Sequence, residues 1–383
     1  MNNIDEFLTR GVANIVPNKD GLEKMLRSEK KLNVYAGFDV TAPKLTLGHT
    51  VPFRKLQALA ELGHNVTFLI GDFTTLIGDT SDKETERKPI APKQIKKDLE
   101  TYQKQASKIL DFSKIETKFN SKWLNKLTPQ EIIQLCQHFS LGDFIGRELI
   151  KKRLESGKRV GLHEVLYPAI QGYDHYYLDT DLQIGATEQT FNMNAGRTLQ
   201  KDLRGKESYF MTLMILEGTD GRKMSKSWGN AIWIEDKPEE MYAKIMSLGD
   251  HLIEQYFILV TSVPMEEVKE KVAKSKKEPL AIKKELAFQI VKEMHSEKDA
   301  QRAQEAFEKT FQEQKPEFKT EVSAKENLAQ TISQVVGSVS EAKRLISQGA
   351  VDISGATVYD PTLKVNSGDE IKVGTQTFVK VKK

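Results

Sequence analysis

Cysteine is nearly absent from this chain of 383 residues: Cys136 stands alone, which excludes an internal disulfide and any multi-cysteine metal site. Its surroundings, Ile132-Ile133-Gln134-Leu135-Cys136, are apolar and predict a buried structural thiol. Long hydrophobic runs are missing too, with no stretch of about 18 apolar residues, so no membrane span is expected. The first residues mix Asn, Asp, Glu, Arg and Lys without the apolar core of a signal peptide, and the cytoplasm is the expected compartment. Excess charge of either sign is lacking: 57 basic against 54 acidic residues leave +3, so any nucleic-acid contact must come from local patches. What remains, 39% hydrophobic and 29% charged residues, is the composition of a globular protein long enough for two or three domains.

Short apolar runs alternate with longer amphipathic stretches from Leu32 to Asp220. Leu32–Phe38 and Val66–Asp72 predict buried strands that stop at turns, with a helix over Val51–Leu62 between them. Near-continuous apolar strands separated by helices predict a parallel sheet covered on both faces, an α/β domain of the Rossmann-like kind. A helical, charge-rich interval over residues 121–161 precedes the next strand at Leu182–Gly185 and is expected to be an insertion. Pro238–Phe311 predicts helices: Ile282, Leu286, Ile290 and Met294 recur every four residues, as do Ala303, Phe307 and Phe311. Gln312–Glu321 suits a linker, and the last sixty or so residues predict a short helix over Ser340–Gln348 followed by alternating strands.

Two segments point to chemistry. Tyr35–Thr50 joins the first strand to the next helix, where an open parallel sheet offers free N–H groups and a helix dipole to phosphate. Gly48 admits a close approach there, and His49 can donate to an oxyanion; alone, the pair fits a turn glycine beside a solvated histidine better. The second segment, Lys223-Met224-Ser225-Lys226-Ser227, follows the glycine-led Gly218-Thr219-Asp220-Gly221-Arg222. Two lysines three residues apart on such a loop can close over a polyphosphate and neutralise it. Tyr167, Gln171 and Asp174 are spaced i, i+4, i+7 and share one helical face. Two hydrogen-bonding groups and a carboxylate on one stripe suit a polar ligand, although Asp174 alone could simply cap or pair locally.

Together these segments resemble the HIGH and KMSKS motifs of class I aminoacyl-tRNA synthetases. Over essentially its whole length the chain is most similar to tyrosyl-tRNA synthetases of the bacterial type. Gly37-Phe38-Asp39-Val40-Thr41-Ala42 resembles that family's GFDPTA stretch, Ile77–Ser81 its IGDPS turn, and Tyr167 through Asp174 its YPxxQxxD helix. Residues 323–383 resemble an S4 RNA-binding domain, above all at Ser340–Ile346 and Gly349–Val351. The resemblance implies a catalytic domain over residues 1–220, a lysine loop with a helical anticodon-binding domain over 221–320, and an α+β S4-like domain over 321–383.

It also implies roles. Tyr35 and Asp174 would hold the phenolic hydroxyl of tyrosine, and Asp79, Tyr167 and Gln171 would surround its α-ammonium with Gln189 nearby. Gly37, Asp39, Thr46, Gly48, His49, Gly185, Glu188 and Lys226 would bind ATP. Thr41, His49, Lys83, Arg87, Lys223 and Lys226 would stabilise the reaction, with Mg²⁺ held mainly by the ATP phosphates rather than by a protein cage. The product would be tyrosyl-tRNA, Lys343 and Arg344 would contact tRNA phosphate, and a homodimer would form partly through the insertion. Two departures stand out: Thr46 replaces the first histidine of HIGH, and Ala186 and Glu188 replace a glycine and an aspartate of a GGSDQ-like segment. Thr46 is therefore expected to weaken one phosphate contact. The rival readings are a tryptophan enzyme of the same class, which the Tyr35–Asp174 pair disfavours, and a non-catalytic RNA-binding paralogue, which would not require Lys223, Lys226, Asp79, Gln171 and Asp174.

Overall fold

The computed structural model describes residues 4–40, 42–79, 101–225, 228–311, 320–374 and 377–382. Six strands form one sheet: β1 (Val12–Val16), β2 (Asn33–Asp39), β3 (Asn65–Gly71), β4 (Ile115–Phe119), β5 (Leu182–Ala186) and β6 (Tyr209–Leu213). Their order is β1-β6-β5-β2-β3-β4, with β1 antiparallel to β6 and the other neighbours parallel. The apolar runs noted in the sequence form the centre, where Val34, Tyr35, Ala36, Phe68, Leu69 and Ile184 are all buried. From β2 the chain builds outward to β3 and β4 and then returns to place β5 and β6 on the other side. Ligands in open α/β sheets bind at such a reversal, outside the carboxyl ends of the strands.

The helix after β2 begins at Leu47, four residues before the position expected from apolar periodicity. Thr46 has the extended backbone of an N-cap residue, so Gly48 and His49 belong to the first helical turn. Pro52 lies inside this helix and brings no N–H to the Gly48 carbonyl. Helix Leu162–Tyr177 carries Pro168, which likewise leaves the Glu164 carbonyl without its intrahelical donor, and the Arg147 guanidinium takes it at 3.1 Å. This helix packs closely on Thr190–Arg204 at two glycines. A Cβ on Gly172 would meet the Ala195–Gly196 backbone at 3.2 Å, and one on Gly196 would meet His175 at 2.7 Å.

The 121–161 interval contains four short helices, as its composition predicted. Cys136, however, is only half-buried. Helix Pro129–Cys136 turns Leu135 inward, and the next residue is carried about 100° around the helix axis, away from the core.

The chain divides into two compact units, one of residues 1–237 and 244–297 and one of residues 238–243 and 298–383. In the first, Ile282, Leu286, Ile290 and Met294 all face the core as their spacing predicted. Two arginines hold the carboxyl end of helix Ile253–Val260, whose last carbonyls lack intrahelical donors. Arg10 donates to the carbonyls of Phe257, Ile258, Thr261 and Val263 at 2.7–2.9 Å, and Arg54 donates to that of Val260 at 2.7 Å and to Glu293 at 2.6 Å. The second unit has a five-stranded sheet ordered β7 (Thr320–Ser323), β11 (Thr377–Lys382), β10 (Glu370–Val373), β8 (Val351–Ile353), β9 (Ala356–Thr357). Helices Leu328–Val336 and Val339–Ser347 cover it over a core that includes Leu328, Ile332, Ile346 and Ile371. Lys343 and Arg344 are exposed on the second helix, and Arg344 pairs with Glu341 at 2.5 Å.

Arg10→Met keeps an apolar stem but removes the donor to four carbonyls, of which, among the described residues, only that of Phe257 retains another, the Thr261 hydroxyl at 2.7 Å. It should lower unfolding free energy by about 3–5 kcal/mol, read as a fall in the urea midpoint; an unchanged midpoint would refute the anchoring role.

Candidate active site

A cavity of about 450 Å³ opens at the reversal point, lined by the carboxyl end of β2, the start of helix Leu47–Glu61, the polar face of helix Leu162–Tyr177, the turn after β5 and the lysine loop. It brings together Tyr35, Gly37, Asp39, Thr46, Gly48, His49, Asp79, Tyr167, Gln171, Asp174, Gly185, Glu188, Gln189 and Lys223. Thr41, Lys83, Arg87 and Lys226 lie outside the described residues.

The inner end is built around two carboxylates. Asp174 is 2% exposed, and Trp123 Nε1 donates to its Oδ1 at 2.7 Å while Asn120 Nδ2 donates to its Oδ2 at 3.1 Å. Burial outweighs these two donors and pushes the Asp174 carboxyl up to about 7, with Asp39 and Asp72 adding repulsion. Tyr35 is 1% exposed, and its hydroxyl has no hydrogen-bond partner among the described residues. Burial and the neighbouring Asp174 hold that phenol well above its ordinary pKa. The two groups expected to grip one hydroxyl therefore do not bond to each other: Asp174 is anchored from the other side, and Tyr35 keeps its donor. His175 packs edge-on against the Tyr35 ring at 5.9 Å and is itself fixed between Gln183 at 3.1 Å and Ser208 at 2.9 Å.

Asp39 accepts from Thr74 Oγ1 at 2.7 Å and from the Tyr167 hydroxyl at 3.0 Å. Gly71 leaves room for this arrangement, since a Cβ there would lie 2.3 Å from Asp39 Oδ1. Asp79 accepts from Gln189 Nε2 at 2.6 Å, and Gln189 is braced in turn by Asn192 at 3.1 Å. Gln171 lines the cavity one helical turn before Asp174.

At the outer end the first turn of helix Leu47–Glu61 fixes His49. The Thr46 N–H donates to His49 Nδ1 at 3.1 Å, and the Thr46 hydroxyl lies 3.0 Å from the same nitrogen. Burial lowers the ring to about 4, and the nearby Lys223 charge adds to this. At neutral pH the imidazole is therefore uncharged, with Nδ1 occupied as an acceptor and its proton on Nε2. The Thr46 side chain orients the histidine. Lys223 reaches across from the loop and donates to Glu188 Oε1 at 2.5 Å. The loop base is organised by buried Asn230, which accepts from Ser225 N at 2.8 Å and donates to Asp220 at 2.7 Å and to the Lys223 carbonyl at 3.1 Å. Beyond the loop, Ile232–Ile234 runs alongside Leu45–Leu47: Leu47 N donates to Ile232 O at 2.8 Å and Ile234 N to Leu45 O at 2.9 Å.

Asn120, Trp123, Thr74 and Asn230 escaped sequence reasoning. Each is a lone polar or aromatic residue whose partner is distant in sequence, except Asn230, which follows the lysine motif closely enough to have been suspected.

The raised carboxyl of Asp174 has a stability consequence. The native state keeps that proton up to about 7, whereas an unfolded chain releases it near 4. Between those values the native state binds more protons, so this group's contribution to stability falls as pH rises. Asp174→Asn removes that slope. Relative to the parent chain it should gain up to about 4 kcal/mol between about pH 4 and pH 8, measured from denaturant midpoints; a pH-independent difference would contradict the shift.

The family model described as tRNA synthetases class I (W and Y) matches residues 27–312. The chain is 40% identical to a tyrosine–tRNA ligase of Carboxydothermus hydrogenoformans over 98% of this chain and 97% of that one. It is 39% identical to a tyrosine–tRNA ligase of Desulfotalea psychrophila, again over 98% and 97%. Among solved structures it resembles a C-terminally truncated mitochondrial tyrosyl-tRNA synthetase of Coccidioides posadasii, with a TM-score of 0.65 and 25% identity over 78% of this chain and 91% of that one. A reversed parallel sheet, a neutral histidine at a helix start, a lysine loop facing it and near-full-length identity thus converge: the chain belongs to the class I tRNA synthetases of the tryptophan and tyrosine group, among relatives that are tyrosine–tRNA ligases.

Proposed function

We propose that this protein activates tyrosine with ATP and passes the tyrosyl group to the terminal ribose of its tRNA. The single observation that carries the choice of amino acid is the pairing of buried Tyr35 and Asp174 at the inner end of the cavity. One offers an unused hydroxyl and the other a carboxylate already oriented by Trp123 and Asn120. A phenol meets both; phenylalanine or an indole leaves buried polar groups without a partner, which costs about 1–3 kcal/mol each.

In this reading the α-ammonium of tyrosine lies among Asp79, Tyr167, Gln171 and Gln189. Its ionised carboxylate attacks the α-phosphate of ATP, the bond to the β-phosphate breaks, and pyrophosphate leaves. The nucleophile is already charged, so neither a catalytic base nor a covalent enzyme intermediate is needed. Alignment and charge stabilisation do the work. His49 supplies a neutral Nε2–H to a phosphate oxygen, Lys223 supplies charge together with Lys83, Arg87 and Lys226, and Thr41 offers a hydroxyl. Gly37, Asp39, Gly48, Gly185 and Glu188 line the nucleotide side, and Mg²⁺ enters on the ATP phosphates. A ribose hydroxyl of tRNA then attacks the tyrosyl carbonyl and releases AMP.

The remaining assignments extend the same reading. The catalytic domain covers residues 1–220 and the helical anticodon-binding segment residues 221–320. Residues 321–383 are an S4-like RNA-binding module, whose exposed Lys343 and Arg344 meet tRNA phosphate. A homodimer forms partly through the 121–161 insertion, a reading supported by exposed Ile133, Leu141 and Leu154 there and Leu162 beside it. The protein works in the cytoplasm; no described helix is long and apolar enough to cross a membrane.

An ATP–pyrophosphate exchange panel tests this directly. Tyrosine should support exchange, while phenylalanine and tryptophan should not; no exchange with tyrosine would remove the proposal. Trp123→Phe deletes one donor to Asp174 and should raise the tyrosine KM roughly 10- to 100-fold while leaving the ATP KM unchanged. Equal changes in both would point to general damage instead.

A further inference from the structure

We propose that Glu188 competes with the phosphates of ATP for Lys223 and thereby sets how tightly the nucleotide is held. The inference rests on the reading of Lys223 as a phosphate ligand and goes beyond it by naming what the lysine does before ATP arrives.

Glu188 stands in the short turn Thr187–Gln189 at the carboxyl end of β5, and Lys223 stands on the loop facing it. Their contact is a charge-assisted hydrogen bond of 2.5 Å. The other carboxylate oxygen, Oε2, is buried and accepts from no described residue. Lys223 is thus the donor that offsets burial of this carboxylate among the described residues. A phosphate chain entering the same cavity needs that ammonium and meets a like charge beside it. It must draw Lys223 away from Glu188 or accept the repulsion.

The exchange takes place in the side chain. Glu217 and Lys223 form a main-chain bridge, and the Lys223 carbonyl accepts from Asn230 at 3.1 Å. Buried Asn230 holds the neighbouring Ser225 N–H as well. The lysine therefore pivots about a fixed backbone, from the carboxylate to the phosphates, without opening the loop base. A glutamate brings its carboxylate one methylene nearer the loop than an aspartate would, so the identity of residue 188 tunes the competition.

Inorganic tripolyphosphate is the probe, because it carries the charge of ATP without ribose or adenine. Its binding is measured by calorimetry on the full chain at constant ionic strength. Glu188→Gln preserves shape and removes the charge, and it should tighten tripolyphosphate binding about three- to tenfold. The gain should vanish when Glu188→Gln is made together with Lys223→Gln, since Glu188 acts through that lysine. Should Glu188→Gln fail to fold, Glu188→Asp, which withdraws the carboxylate by one methylene, should show a smaller gain of the same sign. An unchanged affinity overturns the proposal, as does no binding to either protein, or a gain of equal size in the Lys223→Gln background, which would reflect only the general field of a carboxylate. Tyrosine-dependent exchange by the parent chain is measured separately. Its absence would remove the synthetase reading while the tripolyphosphate cycle still decides the competition.

Discussion

The two-strand contact between Leu45–Leu47 and Ile232–Ile234 is the constraint on which the site depends. Two main-chain hydrogen bonds join segments that lie far apart in the chain, and Lys108 adds a third contact by donating to the Ile234 carbonyl at 2.8 Å. One partner continues into the N-cap of helix Leu47–Glu61, and the other is the exit of the lysine loop. The contact gives the start of the helix and the base of the loop a common frame. It helps hold the elements carrying His49 and Lys223 in register, and on the proposed reading these two groups share one phosphate chain, which needs alignment within fractions of an ångström.

Within that frame the protein manages buried charge in two ways. At the inner end carboxylates are kept near neutrality or given several donors. Burial raises the Asp174 carboxyl to about 7, while Asp39 receives hydroxyls from Thr74 and Tyr167. At the outer end the histidine is discharged and the lysine is paired. On the proposed reading, the free protein presents its phosphate site with the attraction of Lys223 partly masked by Glu188, and its tyrosine site with hydrogen-bonding groups fixed in advance. Preorganisation of this kind spares the reorganisation that bulk water would require when charge moves.

Much of this was legible in the sequence, for identifiable reasons. Near-continuous apolar runs at Leu32–Phe38 and Val66–Asp72, short and stopped by turns, fit strands buried on both faces, and they form the centre of the sheet. The i, i+4, i+7 spacing of Tyr167, Gln171 and Asp174 survives in helix Leu162–Tyr177, and all three line the cavity. What stayed hidden depends on tertiary contact. Trp123 and Asn120 have no local pattern that ties them to Asp174, because their partner lies 51 and 54 residues further along the chain. The helix start at Leu47 is set by capping and by the contact with Ile232, neither of which affects apolar periodicity. That the Thr46 hydroxyl neighbours His49 was also invisible, because a sequence gives a residue's chemistry but not what it meets. Cys136 looked buried because an apolar stretch does not reveal which way a short helix is rotated.

On helix Ile253–Val260 and the residues just after it, the arginine clamp takes only main-chain carbonyls. Its grip is therefore indifferent to the side chains of the helix it holds. Ile258 can be exchanged for another residue of any shape that the packing tolerates, and Arg10 still finds the same oxygen. The freedom is one-sided. No other side chain presents a planar fork of five donors, so mutational latitude belongs to the held helix and rigidity to the two arginines. A library randomised across both should recover many helices and few clamps.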